Sequence, residues 1–156
     1  MSVNKRAFHC TPDAVFAVLS DGWVYPTWVV GASRIREVEP EWPDKGAKLY
    51  HSVGVWPALI NDDTEVLESE APHLLKLQAR GWPAGEAQIT ITIDPTPAGC
   101  TVTIEEHPTH GPAMAIPRPA MDALLKWRNT ETLRRLAMVA EGRTSVDPTH
   151  PANGGS

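Results

Sequence analysis

PRPAMDALLKWRNTETLRRLAMVAEG, residues 117–142, is the longest uninterrupted helical pattern in the chain. Pro119 suits a first helical turn, where its missing N–H is not needed, and Asp122 favours the positive end of the helix dipole. Gly142 is placed to take the left-handed position that ends a helix. At 1.5 Å per residue such a helix is roughly 35 Å long, about the width of a small domain, so it must lie across something. Spaced at 100° per residue, Met121, Leu125, Leu133, Leu136, Val139 and Ala140 form one apolar stripe. Arg128 sits at the edge of that stripe, with Asn129 and Thr132 inside it. Two explanations are open: these polar groups bond to nearby backbone, or the helix crosses a cavity at mid-length.

Upstream, residues 3–10 read as a strand. Thr11-Pro12-Asp13 then gives an N-cap, a proline at the first helical position and an acid in the first turn. A short apolar helix follows, stopped by Asp21-Gly22. A second short helix is predicted between Trp23 and Val30, with Trp23 and Trp28 as core anchors. From Ser33 the pattern changes to alternating runs at 33–39, 46–54, 62–70, 73–81, 86–94 and 100–107, the signature of an antiparallel meander. Run 86–94 is the clearest. Ala87, Ile89, Ile91 and Ile93 face one way, while Thr90 and Thr92 face water.

Extending that parity puts Leu49, His51 and Val53, then Leu75, Leu77 and Ala79, then Val102, Ile104 and Glu106 on the inner face. His51 and Glu106 are ionisable among aliphatics, where an unpaired charge is costly. Arg128 and Asn129 are the obvious partners.

The 156 residues suffice for one domain with one core, and the formal net charge of −5 argues against a nucleic-acid partner. No apolar run is long enough to span a membrane. The N-terminus lacks a signal-peptide pattern, so a cytoplasmic location is expected. Cys10 and Cys100 read as reduced, buried thiols. Residues 143–156 lack periodicity and are rich in Pro and Gly, giving an expected division into a domain at 1–142 and a disordered tail at 143–156. His107-Pro108-Thr109-His110 reads as a solvated loop rather than a metal site, and no metal is expected. Phosphate-loop, serine-elbow, HExxH and CxxC motifs are absent from the sequence.

Several stretches carry a resemblance: TPDAVFAVLSD (11–21), YPTWVVGASRIREVEP (25–40), KGAKLYHSVGVWP (45–57) and WRNTETLRRLAMVAEG (127–142). With the element order, they resemble the START-like helix-grip superfamily, also called SRPBCC or the polyketide cyclase/dehydrase group, over about residues 3–142. The resemblance implies an α+β helix-grip fold: a seven-stranded, curved antiparallel sheet wrapped around a long C-terminal helix, with two short helices after the first strand. It also implies a cavity between sheet and helix. Its members bind lipids, sterols, hormones, quinones or polyketides, and some cyclise or dehydrate substrates, so fold does not fix function.

The leading expectation is binding of a hydrophobic small molecule, by a monomer or homodimer, without a cofactor. The alternatives are a cofactor-independent cyclase or dehydratase, and an interaction or stress-related protein with a vestigial cavity. Candidate ligand-binding residues are His51, Val53, Leu77, Ile91, Ile104 and Glu106 on the sheet, and Met121, Leu125, Arg128, Asn129 and Thr132 on the helix. Trp56, in an apolar loop between strands, joins them as a cavity-mouth residue. No catalytic residue is transferred from the family. For the enzyme reading the best candidates are Glu106 as general base, His51 beside it, and Arg128 stabilising an enolate oxygen. The plain alternative for Glu106 and Arg128 is a structural ion pair.

Overall fold

The computed structural model describes residues 2–53, 60–81 and 85–145. Seven strands form one sheet: β1 (Ser2–Phe8), β2 (Ala32–Val38), β3 (Lys48–Val53), β4 (Ile60–Glu70), β5 (Leu74–Gly81), β6 (Gly85–Thr96) and β7 (Gly99–His110). Their spatial order is β1-β7-β6-β5-β4-β3-β2, and every adjacent pair is antiparallel. The strands from β2 to β7 are therefore a meander, and β1 joins its far edge.

The chain crosses from one edge of the sheet to the other through α1 (Pro12–Ser20), a 3₁₀ turn at Gly22–Val24 and α2 (Tyr25–Trp28). Thr11 caps α1 by accepting from the Ala14 N–H. The long helix α3 (Arg118–Ser145) packs on β1, α1 and α2 and closes the fold. This is the helix-grip fold. α3 runs through Gly142 to Ser145, so Gly142 does not end it. Residues 146–156, the remainder of the expected tail, lie outside the described residues.

Alternation in the sequence maps cleanly onto the sheet. Leu49, Leu75, Leu77, Ile89, Ile91, Ile93, Val102 and Ile104 are all buried. They meet Leu133, Leu136, Ala137 and Ala140 of α3, with Phe8, Val15 and Leu19 at the same end, in one core. Thr90 and Thr92 are half-buried rather than fully wet. Both sit in the sheet centre, where Thr90 is flanked by Lys76 and Glu105, and Thr92 by Leu74 and Thr103.

Two local expectations change. Trp28 is buried, but Trp23 is 61% exposed. The anchoring indole is instead Trp42, buried with its Nε1–H donating to the Leu19 carbonyl at 3.0 Å. The stretch His107–His110 is not a loop, because β7 pairs with β6 as far as His110. Pro108 is tolerated there because the last described pair of β1 with β7 is Ser2–Glu106, so among the described residues that edge of β7 has no partner at Pro108.

Replacing Ile91 with Ala is expected to cost about 2–5 kcal/mol in urea unfolding, the range for a truncated core aliphatic. Thr92→Ala, on the other face of the same strand, is expected to cost less than about 1 kcal/mol. Equal losses would overturn the facing of β6.

Candidate functional site

The inner face of the sheet changes character along its strands. β5 runs Leu75, Leu77, Ala79 and β6 runs Ile93, Ile91, Ile89, Ala87, and the two alanines pair directly across the ladder. Beyond them, Gly85 begins β6 with φ +109°. A Cβ there would come within 2.0 Å of the His110 carbonyl oxygen, so no side chain fits. The large aliphatics, Leu77 and Ile89, therefore stop two inward-facing positions before this end of β5 and β6, and α3 passes over the gap. The result is a recess of about 400 Å³ under the first half of α3. Ala79, Ala87, Glu106 and Pro108 line it from the sheet, and Met121, Leu125 and Arg128 from the helix. Tyr25 and Val29 wall its inner end, and Ile116, Leu124 and Trp127 its outer rim.

Glu106 faces inward because the β6–β7 ladder is unbroken from Thr96–Gly99 to Ala87–Pro108; its one shift falls beyond Glu106, at Glu86–Ala87. His51 faces inward because the β3–β4 ladder has no shift at all. Both side chains are buried. Arg128 reaches down from α3, and its Nη1 donates to Glu106 Oε1 at 2.7 Å. The Arg128 Nε donates to the Val30 carbonyl at 3.1 Å, and the Val30 N–H donates to Thr132 Oγ1 at 3.4 Å. Arg128 and Thr132 thus do bond to nearby backbone, the plainer of the two explanations for the polar interruption. Asn129 does not share it: its Nδ2 is buried without a partner.

His51 lies under Tyr25, with the rings stacked at 5.9 Å between centroids, and its Nε2 is 2.9 Å from Thr64 Oγ1. Burial pulls the imidazole pKa down from its usual 6.5, against the smaller opposing pull of Asp62 and Asp63. Burial likewise raises the Tyr25 phenol, keeping it neutral.

The sequence-derived residues fall into two connected spaces. His51, Glu106, Met121, Leu125 and Arg128 line the recess. Leu77, Ile91, Ile104, Asn129 and Thr132 line a void of about 20 Å³ deeper in, which Arg128, Tyr25 and Val29 also border. The recess therefore lies under the first half of the helix, and the polar residues mark its boundary with the solid core. Trp56, with its loop at 54–59, and the side chain of Val53 lie outside the described residues. Tyr25, Val29, Ala79 and Ala87 are not among the candidate ligand-binding residues of the sequence, and Trp28 is expected there only as a core anchor. The alanine pair was visible as small residues on the inner face; the others depend on how α2 docks. No group of His, Cys, Asp and Glu able to hold a metal occurs among the described residues. No described helix is long and apolar enough to cross a membrane.

The family model for polyketide cyclase / dehydrase and lipid transport matches residues 2–141. The chain belongs to that family. None of the curated proteins compared with it matches. Among solved structures, protein NE0264 from Nitrosomonas europaea is similar with a TM-score of 0.69 at 15% identity, over 92% of this chain and 95% of that one. The di-domain ARO/CYC StfQ from the steffimycin biosynthetic pathway is similar with a TM-score of 0.68 at 13% identity, over 92% of this chain and 51% of StfQ. Ara h 8.0201 also reaches a TM-score of 0.68, at 9% identity, over 90% of this chain and 96% of its own. At these identities the likeness is one of fold.

Two expected outcomes follow from the geometry. Arg128→Met keeps the aliphatic stem but strands Glu106, whose side chain is 3% exposed, and is expected to cost about 3 kcal/mol on unfolding. Adding Glu106→Gln should recover much of that, since no charge is then left alone; a double-mutant cycle with no coupling would mean that the pair contributes nothing. For His51, the folded pKa lies below the unfolded one, so the unfolded chain binds a proton first as pH falls. Stability is complete above about pH 6.5 and declines below it, towards the lower folded pKa. His51→Gln should flatten the change in melting temperature between pH 7 and 5.5; an unchanged slope would exclude His51 as its source.

Proposed function

We propose that this protein binds a hydrophobic small molecule, lipid-like or polyketide-like, in the recess between the sheet and the first half of α3. The observation that carries the reading is the Ala79–Ala87 pair, which withdraws side-chain volume from an otherwise continuous aliphatic face. A recess of about 400 Å³ is within the usual size of small-molecule sites, which is roughly 300–1,000 Å³. Its walls are mostly apolar, with a few convergent polar groups at the inner end, the ordinary composition of such sites. The family description, which names both cyclases or dehydrases and lipid transport, supports the same class of ligand. The reading needs no cofactor.

A second reading, cofactor-independent cyclisation or dehydration, is favoured by one detail. Arg128 occupies only one oxygen of Glu106, and Oε2 is buried with no partner. A carboxylate oxygen held free beside an apolar recess is the group that a general base requires. Under this reading Glu106→Gln nearly abolishes turnover of a poly-β-keto substrate while leaving affinity within a few-fold.

The binding reading is tested by refilling the recess. Ala87→Phe should weaken binding of the neutral fluorescent probe N-phenylnaphthylamine by at least about tenfold without lowering the melting temperature, since the added ring enters existing space. Native mass spectrometry of freshly purified protein should show a co-purified small molecule in the wild type and less of it in the variant. Unchanged probe affinity in a folded Ala87→Phe protein would overturn the assignment.

A further inference from the structure

Cys10 and Cys100 take no part in the recess, yet the fold brings them together from 90 positions apart in the chain. β1 pairs with β7 as far as Phe8–Cys100, and residues directly opposite in a ladder share a face. Phe8 and Cys100 accordingly both point into the core, where they are buried. Cys10, two residues beyond Phe8, turns to the same side and joins the same cluster. The approach is close because residue 99 is glycine. Its φ is +152°, and a Cβ there would come within 2.2 Å of the Phe8 carbonyl oxygen and 2.9 Å of the Cys10 nitrogen. The exit of β1 thus lies directly on the first residue of β7, and the two free thiols are hydrogen-bonded to each other.

We propose that Cys10 and Cys100 are an oxidant-responsive pair that closes into an intramolecular disulfide, stapling the exit of β1 to the start of β7. A disulfide holds its sulfurs about 2.05 Å apart, so thiols already in contact need to move by no more than about 2 Å. Cys10 is 7% exposed and Cys100 fully buried, so a small oxidant of the peroxide class meets Cys10 first. The Cys10 sulfur attacks one peroxide oxygen, the O–O bond breaks, and Cys10 becomes a sulfenic acid while the first water leaves. The Cys100 sulfur then attacks the Cys10 sulfur, the S–O bond breaks, and a second water carries away the oxygen and the Cys100 proton. Two thiols are oxidised by two electrons and one peroxide is reduced to two waters.

The surroundings make this a durable bond rather than a redox catalyst. Burial, then the neighbouring thiol and the Glu141 carboxylate, pushes the Cys10 thiol up to about 11, and burial raises Cys100 as well. Scarce thiolate makes closure slow at neutral pH. Thiolates so poorly stabilised are also poor leaving groups, so the bond once made is slow to yield to other thiols. Its effect is on the fold. β1 is an edge strand, hydrogen-bonded in the sheet to β7 alone, and the bond would close a loop of about 90 residues in the unfolded chain. Cys100 pairs with Pro95, at the opposite end of the β6–β7 ladder from the Ala87–Pro108 pair that lines the recess. The proposal therefore stands apart from the binding reading.

The test treats reduced wild-type protein with a small excess of hydrogen peroxide, alkylates the remaining thiols with iodoacetamide in urea, and maps the products by mass spectrometry. Both cysteines should become unavailable together and be recovered as one cross-linked peptide pair from monomeric protein. The melting temperature should rise by at least about 5 °C, and should fall back on reduction with excess dithiothreitol, which leaves oxidised methionines as they are. In Cys100→Ala the same treatment should stop at a sulfenic acid on Cys10, trapped by dimedone, with no gain that dithiothreitol reverses. Oxidation of the wild type that stops at one cysteine, a cross-link between two chains, or a disulfide that fails to raise the melting temperature would overturn the proposal. Two thiols left intact by a treatment that oxidises the same chain in urea would overturn it as well. The wild-type results decide the question even where Cys100→Ala does not fold.

Discussion

The fold's arrangement turns on Arg128. Its guanidinium joins three parts of the chain that are distant in sequence: α3 itself, Glu106 on β7 and the Val30 carbonyl in the segment between α2 and β2. Thr132, one turn further along the helix, takes the Val30 N–H, so both backbone groups of that residue are satisfied by α3 side chains. Sliding α3 by a single turn, about 5.4 Å, would break every one of these bonds and strand a buried carboxylate. The apolar stripe of the helix would tolerate such a slip far better, because one aliphatic residue replaces another. Hydrophobic burial holds α3 to the sheet, and the guanidinium decides where along the sheet it stops.

That stopping point also places the recess. With α3 in this register, Leu133, Leu136 and Ala140 cover the densely filled part of the sheet, while Met121 and Leu125 span the part lined by alanines. One bond network therefore fixes the register and sets the polar inner end of the site. Asn4 of β1 reinforces the placement by donating to the Lys126 carbonyl and to Thr130 Oγ1, at 3.0 and 2.9 Å.

Much of this was legible in the sequence because strands encode facing in a strict two-residue period. The inward placement of His51 and Glu106 followed from parity alone, and held because the bulges of the sheet fall elsewhere, at Ala32–Glu37, Val66–Glu68 and Glu86–Ala87. The pairing of Arg128 with Glu106 followed from the need to neutralise a buried charge. Parity has no counterpart for the tryptophans: Trp23 and Trp42 have the same chemistry, yet Trp42 is buried by a turn folding back on α1 and Trp23 points outward. Tyr25 and Trp28 escaped notice as site residues for a related reason. Tyr25 reaches the recess, and Trp28 the void beside it, through the docking of a four-residue helix, which no local pattern encodes. The extent of the recess is not encoded by the helix pattern, because a void is a sum of absent volumes on several elements and the helix is only one of them.

The alanine pair has a consequence for how such a protein can change over time. Restoring larger aliphatics at Ala79 and Ala87 would extend the isoleucine and leucine rows and bury more apolar surface, worth about 0.8 kcal/mol for each methylene well packed. The same substitutions would remove the space in which a guest can lie. Conformational stability and ligand capacity are thus set against each other at two facing positions, and a chain selected only for robustness would drift towards a solid interior. Under the proposed binding, a guest in the gap would relieve the conflict by acting as the missing part of the core, and the occupied protein would be more stable than the empty one.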